Sequence, residues 1–427
     1  MKRKDKVITI LGISVLLCSL FLVTIPVTAI AAEQDDYVLG IYGNANEDDT
    51  IDMRDLTYVK LIFFGKKPET ELADAKYDGK INPLDFIQIK LIIVGKEKEL
   101  TVVDDADRTV TINMPIERTL AAGTIFQDVR AICALGAADK IVGMCDYFYG
   151  IEHEDYFVVL QKAYPELLEL PSIGDSYTPS IESIASLEPD LVIASSSELA
   201  DTIQETTGIP AVYADYTSAL TFEFEYYRFM GYVLGEQERA DELISYLDEK
   251  IDEVSEVTSG IPDYEKPKVY LAFWTFMGAI TYTPSVYAPV EVAGGINVAE
   301  DVLPGPGGPL MWQVSKEQII AWNPDIILLH CAGKANLFSI EDILSDPDLQ
   351  SVSAVQSEAV YSTPGFMWGW DPATGVTECF YMGKLFYPEE FADVDVEEVG
   401  NEIFEEVYGV DGIWTAMTEL CDLYRWE

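Results

Sequence analysis

Glu182-Ser183-Ile184-Ala185-Ser186-Leu187-Glu188-Pro189-Asp190-Leu191-Val192-Ile193 has a counterpart further along the chain: Glu317-Gln318-Ile319-Ile320-Ala321-Trp322-Asn323-Pro324-Asp325-Ile326-Ile327-Leu328. In both, proline falls seven residues after the glutamate, and a serine, Ser180 or Ser315, stands two residues before it. A serine there can accept the orphan N–H groups of a helix's first turn. Proline cannot continue a helix interior, so the helix stops ahead of it. The apolar run after Pro-Asp lacks alternation and reads as a strand buried on both faces, as in parallel sheets. One copy predicts capped helix, turn and buried strand. Two copies predict two similar lobes.

Working outward, short β-type runs alternate with helical stretches from Leu100 onward, which argues an α/β body with parallel sheets. Candidate strands are Thr119–Ala122, Ile141–Met144, Leu191–Ala194, Ala211–Ala214, Val269–Phe273 and Ile326–Leu329. Between the two copies lies one long helix. Ala240, Leu243, Ile244, Leu247, Ile251 and Val254 form one apolar stripe, bracketed by Gly235 and Gly260. The expected division is lobe one over 100–234, a linking helix over 235–260 and lobe two over 261–427. Two lobes joined by one helix define a cleft.

Ahead of the body is a second repeat, of 30 residues. Ile51-Asp52-Met53-Arg54-Asp55-Leu56 through Gly65 matches Ile81-Asn82-Pro83-Leu84-Asp85-Phe86 through Gly95. Each half reads as a polar loop, a short apolar helix and a stopping glycine. The first loop places Asn44, Asn46, Asp48, Asp52 and Asp55 at positions one, three, five, nine and twelve, with Thr50 as carbonyl donor at seven. A hard cation wants six to eight oxygens, and this spacing wraps one chain around Ca2+. The second loop offers Asp74, Asp78, Asn82 and Asp85, with Lys80 as carbonyl donor; Lys76 at position three supplies no lone pair and weakens that site. The tandem, aspartate-ended pattern resembles a dockerin type I module over 40–97. The resemblance implies calcium and a cohesin partner, although Lys76 and the host chain speak against a polysaccharide-degrading assembly.

Composition narrows the function. Of 427 residues, 74 are acidic and 27 basic, a net charge of −47. That balance repels nucleic acid and anionic lipid. Residues 1–32 read as an export signal: Lys2, Arg3, Lys4 and Lys6 precede an uncharged stretch from Ile8 to Ala32. Its length also suits a retained N-terminal anchor, so both fates stay open. Six scattered cysteines without a CxxC pair imply no disulfide framework. No phosphate-cradling glycine loop, HExxH pair or GxSxG elbow appears, so the chain reads as a non-enzyme.

The body resembles the iron-complex and cobalamin class of periplasmic solute-binding proteins. Pro115-Ile116-Glu117-Arg118, Ile173-Gly174-Asp175 ahead of Ser180-Ile181-Glu182, Leu187 through Ile193, Trp312-Gln313-Val314-Ser315-Lys316-Glu317, and Lys384-Leu385-Phe386-Tyr387-Pro388-Glu389 carry the resemblance over about 100–427. It implies the class III periplasmic-binding-protein fold, two α/β lobes bridged by a rigid helix. It also implies ligand capture between the lobes and delivery to an importer of the ATP-binding-cassette (ABC) type. In that family each lobe presents a glutamate to arginines of the importer's membrane subunits; Glu182 and Glu317 occupy those motif positions. The competing reading is an acid in a helix's first turn, favoured by the dipole.

Ligand contacts are expected from loops at the carboxyl ends of the strands. Candidates are Thr124, Tyr147, Tyr149, Tyr177 and Ser196 in lobe one, and Trp274, Trp312, His330, Trp368 and Trp370 in lobe two. Flat aromatics in loops suit a macrocycle or hydrophobic metal chelate. Singly, each is equally well an ordinary core residue. The expected function is capture of an iron complex (siderophore or haem) or a corrinoid for an ABC importer. The rivals are a cell-surface scaffold tethered through the front module, and a metallocluster enzyme that would need cysteines at the cleft.

Overall fold

The computed structural model describes residues 37–123, 127–146, 158–273, 280–301, 312–331, 338–365 and 371–426. Leu39–Glu427 form one compact unit.

A hairpin opens the body: β1 (Glu99–Val103) pairs antiparallel with β2 (Thr109–Asn113). Lobe one is built on a parallel sheet in the order β3 (Thr119–Ala122), β4 (Leu191–Ala194), β5 (Ala211–Tyr213). Lobe two adds β6 (Lys268–Ala272), β7 (Tyr282–Thr283), β8 (Ile296–Asn297), β9 (Trp312–Gln313), β10 (Ile326–His330) and β11 (Val360–Thr363). Its main sheet runs β11-β10-β6-β8, all parallel, while β7 and β9 pair antiparallel beside it. Strands β3, β4 and β10 are buried along their whole length, as continuous apolar runs require. Five of the six expected strands form within a residue of their expected ends. Ile141–Met144 does not: Ile141 makes a single bridge to Thr119 and Met144 one to Ser172, so the segment changes partners midway. Gly143 sits at the crossing, where a Cβ would come within 2.5 Å of Leu187.

The echoed stretch folds the same way twice. Helices Ile181–Ser186 and Lys316–Trp322 start at Ser180 and Ser315, whose hydroxyls accept the Ser183 and Gln318 N–H groups. Each helix ends before proline with a left-handed residue, Glu188 at φ +47 and Asn323 at φ +46. The following aspartate then knits the sheet. The Asp190 carboxylate accepts the N–H groups of Glu117 and Arg118 just ahead of β3, and Asp325 accepts that of Lys268 at the start of β6.

The linking helix runs Gln237–Thr258, about 33 Å at 1.5 Å per residue. Ala240, Leu243, Ile244, Leu247 and Val254 are its buried stripe, and Ile251 is half-buried. It packs on Glu225–Leu234 of lobe one and on Ala288–Val292 and Pro372–Phe386 of lobe two. Arg239 ties both sides to it: its guanidinium donates to the Ala134 carbonyl in lobe one, 3.2 Å, and the Glu406 carbonyl in lobe two, 2.6 Å.

The front segment carries helices Met53–Phe63 and Pro83–Ile93, each opened by a capping box, Asp52 with Asp55 and Asn82 with Asp85. It lies against the body. Ile41 bridges Val102, the Val103 N–H donates to the Gly40 carbonyl, and the Ile51 N–H reaches the Tyr232 hydroxyl at 3.2 Å.

One feature had no sequence signal. Cys331, directly after β10, is disulfide-bonded to Cys421, 90 residues away; Cys133, Cys145 and Cys379 are buried free thiols.

Candidate ligand cleft, docking acids and loop sites

In a parallel sheet the helix before a strand runs antiparallel to it, so its N-terminus lies at the carboxyl edge of the sheet. Glu182 and Glu317 therefore stand at the same edge of their respective sheets as the strand-end loops. Both are exposed, in the first turns of their helices. Glu317 is held below the ordinary carboxylate range by its own backbone N–H and the Ser315 hydroxyl. Lys316, its neighbour, is turned away: its ammonium pairs with Asp346 at 2.6 Å and Asp348 at 3.1 Å.

At the carboxyl edge of lobe one, Gly123 (φ +78) lies so close to the end of β4 that a Cβ would meet the Ser195 hydroxyl at 2.3 Å. Ser196 caps Ser197–Thr207, accepting the Leu199 N–H at 3.2 Å. Tyr177 is 72% exposed on a turn organised by Asp175, whose carboxyl is drawn down by the Tyr177 and Thr178 N–H groups.

Lobe two places His330 at the end of its β10 strand. The imidazole is 1% exposed and lies flat on Phe273, ring centroids 4.1 Å apart and planes 9° apart. Desolvation lowers its pKa to about 3, so the ring is neutral at physiological pH. A Cβ on Gly365 would press into the ring at 2.3 Å, which with φ +77 explains that glycine. Trp312 is half-buried in β9, its indole N–H without a hydrogen-bond partner among the described residues. Thr124, Tyr147, Tyr149, Trp274, Trp368 and Trp370 lie outside the described residues.

Two buried carboxylates beneath this edge gave no sequence signal. Glu378 accepts from the Tyr287 hydroxyl at 2.6 Å, the Gly365 N–H at 2.9 Å and the Thr363 hydroxyl. Asp371 caps Pro372–Phe386 and accepts the Tyr408 hydroxyl at 2.6 Å. In lobe one, Asp128 is likewise buried and accepts the Tyr226 hydroxyl at 2.6 Å.

The two front loops share one hydrogen-bond plan. The position-one side chain, Asn44 or Asp74, accepts the N–H of Asp48 or Asp78. The buried closing carboxylate, Asp55 or Asp85, accepts two backbone N–H groups: Asn46 and Asp52, or Lys76 and Asn82. Burial raises Asp55 to about 6. Asn46, Asp48 and Thr50 in the first loop and Lys80 in the second lie along the same course. In the first loop the side chains are engaged with one another and with Arg54 rather than gathered around a cation. Arg54 holds Asp48 at 3.0 Å and Asp52 at 2.8 Å, and the Asn46 amide donates to Asp48 at 2.6 Å. Among the described residues, no group of three or more His, Cys, Asp or Glu side chains is gathered to hold a metal.

Residues 125–365, more than half of the chain, match the family described as periplasmic binding protein. The chain belongs to that family. It is thus a substrate-binding protein of the ABC-transporter type. Among curated relatives, it is 24% identical over 338 residues to the molybdate-binding protein MolA of Haemophilus influenzae, covering 72% of this chain and 90% of MolA. It is 23% identical to the uncharacterized ABC transporter substrate-binding lipoprotein YvrC of Bacillus subtilis, covering 69% of this chain and 87% of YvrC. A periplasmic solute-binding protein from Veillonella parvula superposes with a TM-score of 0.58 at 23% identity, covering 75% of this chain and 96% of that one. Such likeness speaks for the two-lobed α/β fold. Among the described residues, no helix is long and apolar enough to cross a membrane.

Proposed function

We propose that this periplasmic binding protein captures a metal complex between its lobes, docks on an ABC importer through Glu182 and Glu317, and performs no chemistry of its own. The observation that carries the proposal is the matched pair of exposed acids. Each stands in the first turn of a serine-capped helix ahead of a sheet's buried strand. Separated charges on two lobes give register and steering to docking. Delivery uses the importer's ATP, so the cleft needs only to hold and release.

The ligand class proposed is a ferric siderophore, haem or corrinoid, after the aromatic loop residues. Molybdate is the second reading, favoured by the likeness to MolA. Titration of the purified protein with ferric siderophore, haem, cobalamin and molybdate, followed by absorbance and calorimetry, tests both. Saturable binding of a chromophoric complex supports the first, molybdate alone supports the second, and binding of none removes both.

We further propose that the first front loop takes Ca2+ through Asn44, Asn46, Asp48, Thr50, Asp52 and Asp55, with Arg54 released as the ion enters. Family membership spanning both lobes makes a pure scaffold the weaker account. A metallocluster enzyme would need free cysteines at the strand-end loops, and Cys331, directly after its strand, is instead bonded to Cys421.

A further inference from the structure

The acidity of the chain is unevenly spread. Residues 99–427 hold 59 acids and 14 bases, whereas the front segment, 37–98, holds 11 acids and 9 bases. The 30-residue repeat gives that segment two matching exposed stripes. Met53, Thr57, Lys60 and Phe64 stand at i, i+4, i+7 and i+11 along Met53–Phe63 and its cap, and Pro83, Ile87, Lys90 and Val94 take the same places along Pro83–Ile93. Phe64 is 75% exposed and Met53 64%, and Leu84, Ile87 and Val94 are each more than half exposed. The Lys60 ammonium reaches over the Phe86 ring, 4.9 Å from its centroid, which sets the far part of one stripe beside the start of the other.

Charge and chain order decide what covers this face. The two helices carry only two carboxylates, Asp55 and Asp85, and both are buried, accepting N–H groups of the loops. Lys60, Lys66, Lys67, Lys90 and Lys96 stand on or just after the helices, and none is in an ion pair among the described residues. Arg54, by contrast, is spent on Asp48 and Asp52. Exposed apolar side chains among lysines, with no acid on the helix surface, are the chemistry of attachment to an anionic lipid surface. At physiological salt a charge is felt over about 8 Å, so the charge of the face, not the net charge of the chain, governs contact. Chain order points the same way. Only residues 33–36 separate Tyr37 from the uncharged stretch that ends at Ala32, a reach of about 14 Å. A stretch that enters a membrane as leader or anchor thus brings the front segment to that membrane.

We propose that the paired stripes dock the front segment on an anionic lipid bilayer, with Met53, Phe64, Leu84, Ile87 and Val94 entering the headgroup boundary and the lysines meeting lipid phosphates. Leu39–Glu427 form one compact unit, so the test uses residues 33–427 and takes the apolar stretch out of the measurement. Co-sedimentation with vesicles of phosphatidylcholine mixed with phosphatidylglycerol is compared with pure phosphatidylcholine. The expected result is saturable binding to the mixed vesicles alone. Lys60→Glu with Lys90→Glu should weaken it at least tenfold, and Phe64→Ser with Ile87→Ser about tenfold. All four positions are exposed, so both double variants should melt with the parent. Lys162→Glu, exposed in lobe one, should leave binding unchanged. Equal binding to both kinds of vesicle overturns the site, as does parental binding by either double variant or an equal loss in Lys162→Glu. Absence of binding to the mixed vesicles also overturns it and leaves the face to a protein partner.

Discussion

Asp325 and Lys268 are locked together by a reciprocal pair of bonds: the Asp325 N–H donates to the Lys268 carbonyl at 2.8 Å, and the Asp325 carboxylate accepts the Lys268 N–H at 2.9 Å. Lobe one repeats this with Asp190 and Arg118, at 2.8 and 2.9 Å. The Pro-Asp of the echoed stretch is thus a device for setting the start of two neighbouring parallel strands. Asp325→Ala leaves an edge N–H without its charged acceptor and should cost about 1–2 kcal/mol. Urea unfolding checks this; a midpoint equal to the parent's would show the bond to be incidental.

Glu188 and Asn323 occupy the same left-handed position ahead of proline, yet only asparagine tolerates it well. Glu188→Asn should stabilise lobe one by about 0.5–1 kcal/mol, and Asn323→Glu should destabilise lobe two by a similar amount. Paired thermal melts give the sign of each change, and the same sign for both would contradict the account.

His330 carries a pH prediction. Its folded pKa, about 3, lies below the ordinary histidine value near 6.5. The unfolded chain therefore binds the proton more readily. Stability from this group is full above pH 6.5 and drains as pH falls toward 3, at most about 1.4 kcal/mol per unit. His330→Leu should flatten that part of the acid limb by about 2 kcal/mol between pH 6.5 and 4.5. An unchanged slope in stability measured across that window would place the proton uptake elsewhere.

Calcium and Arg54 compete for Asp48 and Asp52 if the first loop is a cation site. Arg54→Ala should then tighten Ca2+ binding several-fold by calorimetry, while Asp55→Asn should abolish it. Equal heats from the parent and both variants would remove calcium from the front module.

The fold was legible where chemistry repeats. Two prolines, two serines and two aspartates at matched spacing dictated helix, turn and buried strand in each lobe, and the apolar stripe from Ala240 to Val254 dictated the linking helix. What stayed hidden depends on long-range contact. Cys331 and Cys421 are 90 residues apart with no spacing cue. Glu378 reads as one more acid in a very acidic chain, although three donors surround it. Ser196 follows a strand, the position from which a ligand contact is expected, and the same position lets it cap a helix. His330 follows the same logic: the strand end that aims toward a cleft also stacks the ring on Phe273 and buries it.

The most direct test of delivery is stimulation of the importer's ATPase by the loaded protein carrying Glu182→Lys, Glu317→Lys or both. With ligand binding intact, each reversal should weaken stimulation at least tenfold, and the pair should abolish it. Full stimulation by the double variant would contradict docking through these two acids.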